Sequence, residues 1–167
     1  MPKPLPESRE EQFAKAKSDA LKLLSFRART SKELSRRLRE KGYDEALAGE
    51  VVEVFKRQRL VDDSAFAEEF VRSRGNQGAA GRRRLERDLK MKGIETALIS
   101  QALEKFGPEE EASQALELGT RRLAAWKDLP QTKQRQRLYG FLGRRGFSND
   151  AITAAFRKLF STHLNLD

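Results

Sequence analysis

The sequence predicts an all-α protein, an elongated, curved array of three tandem three-helix repeats. Three observations carry that prediction. Apolar residues recur at helical spacing, and strict apolar–polar alternation is nowhere sustained, so no sheet is expected. A short signature occurs three times, as Leu38-x-x-Lys41-Gly42-Tyr43, Leu89-x-x-Lys92-Gly93-Ile94 and Leu142-x-x-Arg145-Gly146-Phe147, with its glycines 51 and 53 residues apart. With the glycines superposed, a column of apolar positions coincides: Leu34/Leu85/Leu138, Ala48/Ile99/Ile152, Val52/Leu103/Phe156 and Phe55/Phe106/Leu159. A unit of about 50 residues buries little surface alone and gains stability by stacking on its neighbours.

The elements follow in order. Residues 1–7 open with the Pro-rich Met1-Pro2-Lys3-Pro4-Leu5-Pro6 and read as an extended, mobile tail. Ser8-Arg9-Glu10-Glu11 is a capping box, followed by Phe13, Ala16, Ala20, Leu21 and Leu24 at helical spacing. A second box, Thr30-Ser31-Lys32-Glu33, opens a short helix carrying Leu34 and Leu38. Gly42 ends it where a positive φ is cheap only for glycine. Asp44 caps a third helix through Leu47, Ala48, Val51, Val52 and Phe55. The second repeat starts near Asp63, with Phe66, Ala67, Phe70 and Val71. The third starts near Pro108, with Ala112, Leu116, Leu123 and Trp126. Pro108 suits a first turn, and Glu109, Glu110 and Glu111 suit its positive dipole end. The repeats are placed at 8–60, 61–107 and 108–161, with a C-terminal tail at 162–167. The widest internal loop is expected from Gly75 to Gly81.

Composition narrows the function. The chain has 167 residues, 35% of them charged, and 34 Lys and Arg against 25 Asp and Glu give a net charge of +9. That balance points to a polyanionic partner, nucleic acid first, held weakly through phosphates in single- or double-stranded form. Cysteine is absent and His163 is the single histidine, which removes disulfides, thiol nucleophiles, thiolate zinc sites, multi-His metal sites and a Ser/His/Asp triad. No enzyme activity, metal or cofactor is expected. No apolar run approaches the roughly 18 residues of a spanning helix, and the N-terminus lacks a signal-peptide core, so a soluble cytoplasmic protein is expected. No dimerisation seam is evident, and a monomer is expected.

The charge is sorted by helix type. Residues 27–41 carry seven basic and two acidic side chains, 72–92 carry eight and two, and 133–145 carry five and none. Residues 62–69 and 109–117 carry a net −4 each. The second helix of every repeat is therefore the basic one, and equivalent helices of a repeated fold should line one positive track. Lys32, Arg36 and Arg39 share a face, extended by Lys41; their counterparts are Arg83, Arg87 and Lys90, extended by Lys92. The third repeat departs, with Gln136, Gly140 and Gly143 at those places. Its charge comes from Lys133, Arg135, Arg137, Arg144 and Arg145. Arg82, Arg83 and Arg84 open a helix behind a Gly-rich loop. Cations oppose the dipole there, but such a start is also a natural phosphate seat. These cations are the candidate nucleic-acid or filament contacts; for any single one, a solvated helix face is the plainer reading. Asp62, Asp63, Glu68 and Glu69 could be drawn as a magnesium site, but Asp63 as a helix cap explains them more simply. Tyr43, Phe147, Tyr139, Phe141 and Trp126 could stack on bases, though core packing is favoured by their positions.

In order along the chain stand Leu24-x-x-Arg27-x-Arg29-x-Ser31-x-Glu33-Leu34, Leu38-x-x-Lys41-Gly42-Tyr43, Asp62-Asp63-x-x-Phe66-Ala67-x-x-Phe70, Gly81-x-x-x-Leu85, Leu89-x-x-Lys92-Gly93-Ile94, and Phe141-Leu142 with Arg145-Gly146-Phe147. From about Ala20 to Phe160 the chain resembles the RecX family of recombination regulators. The resemblance implies tandem three-helix repeats and a partner, the RecA recombinase filament on DNA, with a place in recombination, DNA repair and the SOS response. It implies that the protein lies in the filament's helical groove, touches several protomers and the enclosed DNA, and mainly restrains ATP hydrolysis, strand exchange and co-protease activity. It brings no catalytic residues with it. The acidic first helices and third-helix faces are assigned to recombinase, and the basic second helices to DNA. Two alternatives stand beside it: a stand-alone helix-turn-helix-like DNA-binding protein, and a nuclease built on the four acids. Cations spread over three repeats speak against the first.

Overall fold

The computed structural model describes residues 8–76 and 80–161. The expected tails at 1–7 and 162–167, His163, and residues 77–79 of the Gly-rich stretch lie outside the described residues. The described residues form helices and no strand: α1 (Arg9–Phe26), α2 (Ser31–Glu40), α3 (Glu45–Arg57), α4 (Asp63–Asn76), α5 (Arg82–Met91), α6 (Thr96–Glu104), α7 (Pro108–Ala124), α8 (Gln131–Arg144) and α9 (Asn149–Phe160). They fall into three successive triplets with a long first and a short second or third helix. The chain divides into two compact units, one comprising residues up to Phe66 with Lys92–Ile94, the other Ala67–Met91 with the residues from Glu95 onward.

In the first unit, Ser8 and Glu11 form the reciprocal capping box of α1, and Asp44 Oδ1 accepts from the Leu47 N–H at 2.7 Å to start α3. Ala16 and Ala20 of α1, Leu34 and Leu38 of α2, and Leu47, Ala48, Val51, Val52 and Phe55 of α3 make the core, with Val61 closing it. Small residues on α1 admit close helix approach, while each fully buried leucine contributes about 1.5–3 kcal/mol. Gly42 ends α2 at φ +98°. The Tyr43 hydroxyl, 3.0 Å from Asp19 Oδ2, ties the following turn back to α1.

In the second unit, Leu85 and Leu89 of α5 are buried with Ile99, Ala102, Leu103 and Phe106 of α6 and its C-terminal turn. Ala115 of α7, Leu138 and Leu142 of α8, Phe147, and Ala151, Ile152 and Ala155 of α9 form a further core. Gly119 lets α7 approach α9, since a Cβ there would stand 2.7 Å from Leu159 Cδ1. Gly107 caps α7, with Pro108 in its first turn as expected.

Two assignments change. Asp62, rather than Asp63, caps α4: its Oδ1 accepts from the Ala65 N–H at 2.9 Å. Asp63 is the first helical residue and is used elsewhere. The Gly-rich stretch is shorter than expected, because α4 continues through Gly75 and Asn76. Gly75 is buried against Phe106, whose ring a Cβ there would meet at 3.0 Å.

Candidate nucleic-acid interface

The basic second helices are positioned by how they begin. In the first unit, Thr30 is wholly buried and bonds twice, accepting from the Glu33 N–H at 3.1 Å and donating Oγ1–H to the Lys92 carbonyl at 2.7 Å. Asp63 Oδ1 accepts from the Ser31 N–H at 2.8 Å, so an acid of one helix caps another. Lys92 Nζ reaches Glu33 Oε1 at 2.9 Å, with Arg27 on the other oxygen at 3.3 Å. Burial acts to raise the Glu33 pKa, but the Lys92 hydrogen bond and charge, Arg27 and the Thr30 backbone outweigh it, holding its carboxyl below the ordinary value. Gly93, at φ +81°, lies against the Lys32 stem, which a Cβ would meet at 2.1 Å.

The second unit repeats this joint at the start of α5. The Gly81 N–H donates to the Arg145 carbonyl at 2.9 Å and the Arg83 N–H to the Gly146 carbonyl at 3.1 Å. Glu111, 2% exposed, accepts from the Arg82 N–H at 2.8 Å, the Ser148 N–H at 3.1 Å and the Ser148 hydroxyl at 2.7 Å. Carbonyls at the end of one hairpin thus face the N-terminus of a helix, a head-to-tail dipole arrangement. This overturns the expectation of a backbone phosphate seat at Gly81–Arg84. The open N–H groups are filled by Glu111 and two carbonyls, and any anion must be held by side chains. The negative carboxylate also offsets three cations in the first turn.

The predicted cations divide by what they touch. Lys32, Arg36, Arg39, Lys41, Arg83, Arg87, Lys90, Lys133, Arg135, Arg137 and Arg144 are exposed. Several pair at long range, Arg36 to Glu40 at 3.6 Å, Arg39 to Glu45 at 3.8 Å, Lys41 to Asp19 at 3.6 Å and Arg87 to Asp88 at 3.6 Å, while Lys90 hydrogen-bonds Glu86 at 2.6 Å. Such surface pairs are worth little and exchange readily for phosphate. Arg82, Arg84, Lys92 and Arg145 are half-buried. Arg82 Nη1 donates to the Leu103 and Phe106 carbonyls at 2.7 and 3.0 Å, capping the end of α6. Arg84 lies 3.6 Å from Asp88, and Arg145 stacks on Phe141 with its guanidinium carbon 5.2 Å from the ring centroid. The joint brings the starts of α5 and the end of α8 together, so Arg83 and Arg84 neighbour Arg144 and Arg145.

Of the four acids of the α4 start, Asp62 caps α4, Asp63 caps α2, Glu68 meets Lys105 at 3.0 Å and Glu69 pairs with Arg72. Each has a structural partner. The aromatic residues separate as well: Phe147 is core, while Tyr139 is 54% exposed, against the expectation of core packing. The inter-helix caps, Asp63 and Glu111, escape sequence reasoning because an acid in a first turn reads as complementing its own dipole. Their partners lie 32 and 29 residues away.

Three triplets of helices, each with exposed cations on its second member, define a tandem three-helix-repeat protein with a polycationic surface on each repeat. Family models agree repeat by repeat: RecX, first three-helix domain, matches residues 16–53, the second domain 62–103 and the third 109–156. The chain belongs to the RecX family. It is 36% identical over 143 residues to "Regulatory protein RecX" of Streptomyces coelicolor, covering 86% of this chain and 76% of that one. Against the protein of the same name from Chlorobium limicola it is 34% identical over 143 residues, with 86% and 88% covered. The crystal structure of RecX from Lactobacillus salivarius shares the fold, with a TM-score of 0.81 at 23% identity over 90% of this chain and 97% of that one. Another crystal structure of regulatory protein RecX gives a TM-score of 0.80 at 27% identity, covering 92% and 81%. Among the described residues, no helix is long and apolar enough to cross a membrane.

Proposed function

We propose that this protein binds the RecA–DNA filament along its helical groove and restrains its ATP hydrolysis, strand exchange and co-protease activity, without a catalytic step of its own. The observation that carries the reading is the recurrence of exposed cations on α2, α5 and α8 in a member of a regulator family. These side chains hold DNA phosphates. Acids on the first helices that face solvent, such as Glu69, Glu109 and Glu117, and the third-helix faces hold the recombinase. Several weak contacts from successive repeats add through effective concentration, so no single one has to be strong.

The test follows ATP hydrolysis by RecA on single-stranded DNA as this protein is added. Loss of hydrolysis supports the reading. Loss at far less than one molecule per recombinase subunit places the action at filament ends or growth, and loss near saturation places it in the groove. The triple variant Arg36→Glu, Arg87→Glu, Lys133→Glu should lose inhibition at least tenfold, and log affinity for DNA should fall with log salt at about −0.7 to −0.9 per phosphate neutralised. DNA binding that leaves RecA unaffected would instead identify a stand-alone DNA-binding protein.

A further inference from the structure

We propose that the third repeat holds one unpaired nucleobase of single-stranded DNA in a cleft walled by Trp126 and Phe141, with Arg137 and Arg144 on the flanking phosphates. This rests on the reading above and names the occupant of one part of that basic surface.

The cleft has a volume of about 400 Å³ and is lined by Trp126, Gln136, Arg137, Gly140, Phe141 and Arg144. Its aromatic wall is built rather than incidental. Gln134 Nε2 donates to the Trp126 and Leu129 carbonyls, each at 3.0 Å, pinning the turn that carries the indole onto α8. Trp126 and Phe141 meet edge to face, with centroids 6.4 Å apart at 89°. Arg122 and Arg145 lie over the Phe141 ring at 4.5 and 5.2 Å, which occupies that ring with cations. Among the described residues, no cation or stacked ring lies on the Trp126 indole.

The repeat comparison explains why the cleft is here. Gly140 stands where the other repeats have Arg36 and Arg87, and Gln136 where they have Lys32 and Arg83. A glycine inside a helix is unfavourable, yet here it removes a side chain from the cleft floor. A Cβ at 140 would meet the Arg144 guanidinium, with Nη1 at 3.1 Å and Cζ at 3.9 Å, so that group lies across the glycine. Arg137 and Arg144 stand on either side of it, about 10 Å apart along the helix axis.

The lining contains no carboxylate and combines two guanidinium groups, a flat indole and an amide able both to donate and to accept. A nucleotide uses all of these at once: base on indole, base edge on Gln136, phosphates on the arginines. An acidic peptide would engage the arginines and leave the indole unused. A duplex keeps its bases stacked inside, so an unpaired base is the one that enters.

Trp126 is the single tryptophan of the chain, so its emission reports this cleft alone. The full-length protein is titrated at low salt with an oligothymidine of about 15 nucleotides, following tryptophan emission, while anisotropy of a labelled copy reports total binding. We expect emission to quench along the same curve as anisotropy, and duplex DNA to bind without quenching. Arg137→Gln with Arg144→Gln should weaken single-strand binding about tenfold or more. Gly140→Leu, which favours helix while filling the cleft, should abolish the quench with helicity retained. Binding by anisotropy with unchanged emission would overturn the cleft and leave the phosphate contacts standing. Absence of any binding would overturn both. Equal quenching by an oligoglutamate peptide would reassign the cleft to a protein partner and overturn it too.

Discussion

At the start of α2 the joint with the next hairpin is made by the Thr30 and Glu33 side chains reaching Lys92, whereas at the start of α5 backbone also meets backbone directly, beside the Glu111 carboxylate. Thr30, Glu33 and Lys92 supply the first, and the atoms nearest to a Cβ on Gly93 are those of the Lys32 side chain. In the second, Gly81 and Gly146 carry the contact: a Cβ on Gly81 would stand 2.4 Å from the Phe147 backbone, and one on Gly146 2.6 Å from the Arg84 nitrogen. The comparison teaches that one geometry is reached by two chemistries, with different tolerance. A side-chain joint can shift; a backbone joint cannot. Gly42 completes the comparison, sharing the positive φ with nothing within 4 Å among the described residues.

Substitution in the backbone joint should destabilise most. Gly146→Ala should cost about 2–5 kcal/mol, adding the left-handed penalty of about 1–2 kcal/mol to an overpacking cost of about 1–3 kcal/mol. Gly42→Ala should cost about 1–2 kcal/mol, since only the backbone term applies. Chemical denaturation of both variants decides it, and equal costs would mean the Arg84 contact gives way freely. Next comes Glu111→Ala, at about 3 kcal/mol, because it strands the Arg82 and Ser148 N–H groups in a buried site. Glu111→Gln keeps an acceptor oxygen and should recover part of that loss.

The smallest effect sharpens the side-chain joint. Glu33 has a lowered pKa, so its stabilisation is complete above the ordinary carboxylate range near 4.5 and is lost as pH falls through the lower folded value. Glu33→Gln should cost about 1–2 kcal/mol at neutral pH and flatten the acid limb of the stability profile. Denaturation midpoints between pH 3 and 7 for both proteins provide the measurement. An unchanged acid limb would remove Glu33 as its source.

Much of the fold was legible because it is local and repeated. Leu38, Leu89 and Leu142, and Leu34, Leu85 and Leu138, all reach zero exposure, as their shared register demands. Gly42, Gly93 and Gly146 all take positive φ, because each follows the last turn of a short helix and ends it the same way. The candidate interface was legible only in part. The sequence located the cations but not their duties: Arg82 turns inward to α6 and Lys92 to Glu33, while Arg36 and Arg87 remain outside. Those choices depend on carbonyls and carboxylates far away in the chain, which periodicity does not register.

The helices, the caps at Ser8, Thr30 and Asp44, the threefold repetition and the sign of the surface could all be read from the chain alone, because they follow from short-range spacing and summed charge. Packing between helices set the rest: Glu111 closes the α5 terminus, Asp63 serves α2, and Gly140 opens a cleft beside Trp126. A buried donor takes whichever acceptor packing brings within about 3 Å. That neighbour is set by how whole helices stack, not by the residues beside it in the chain.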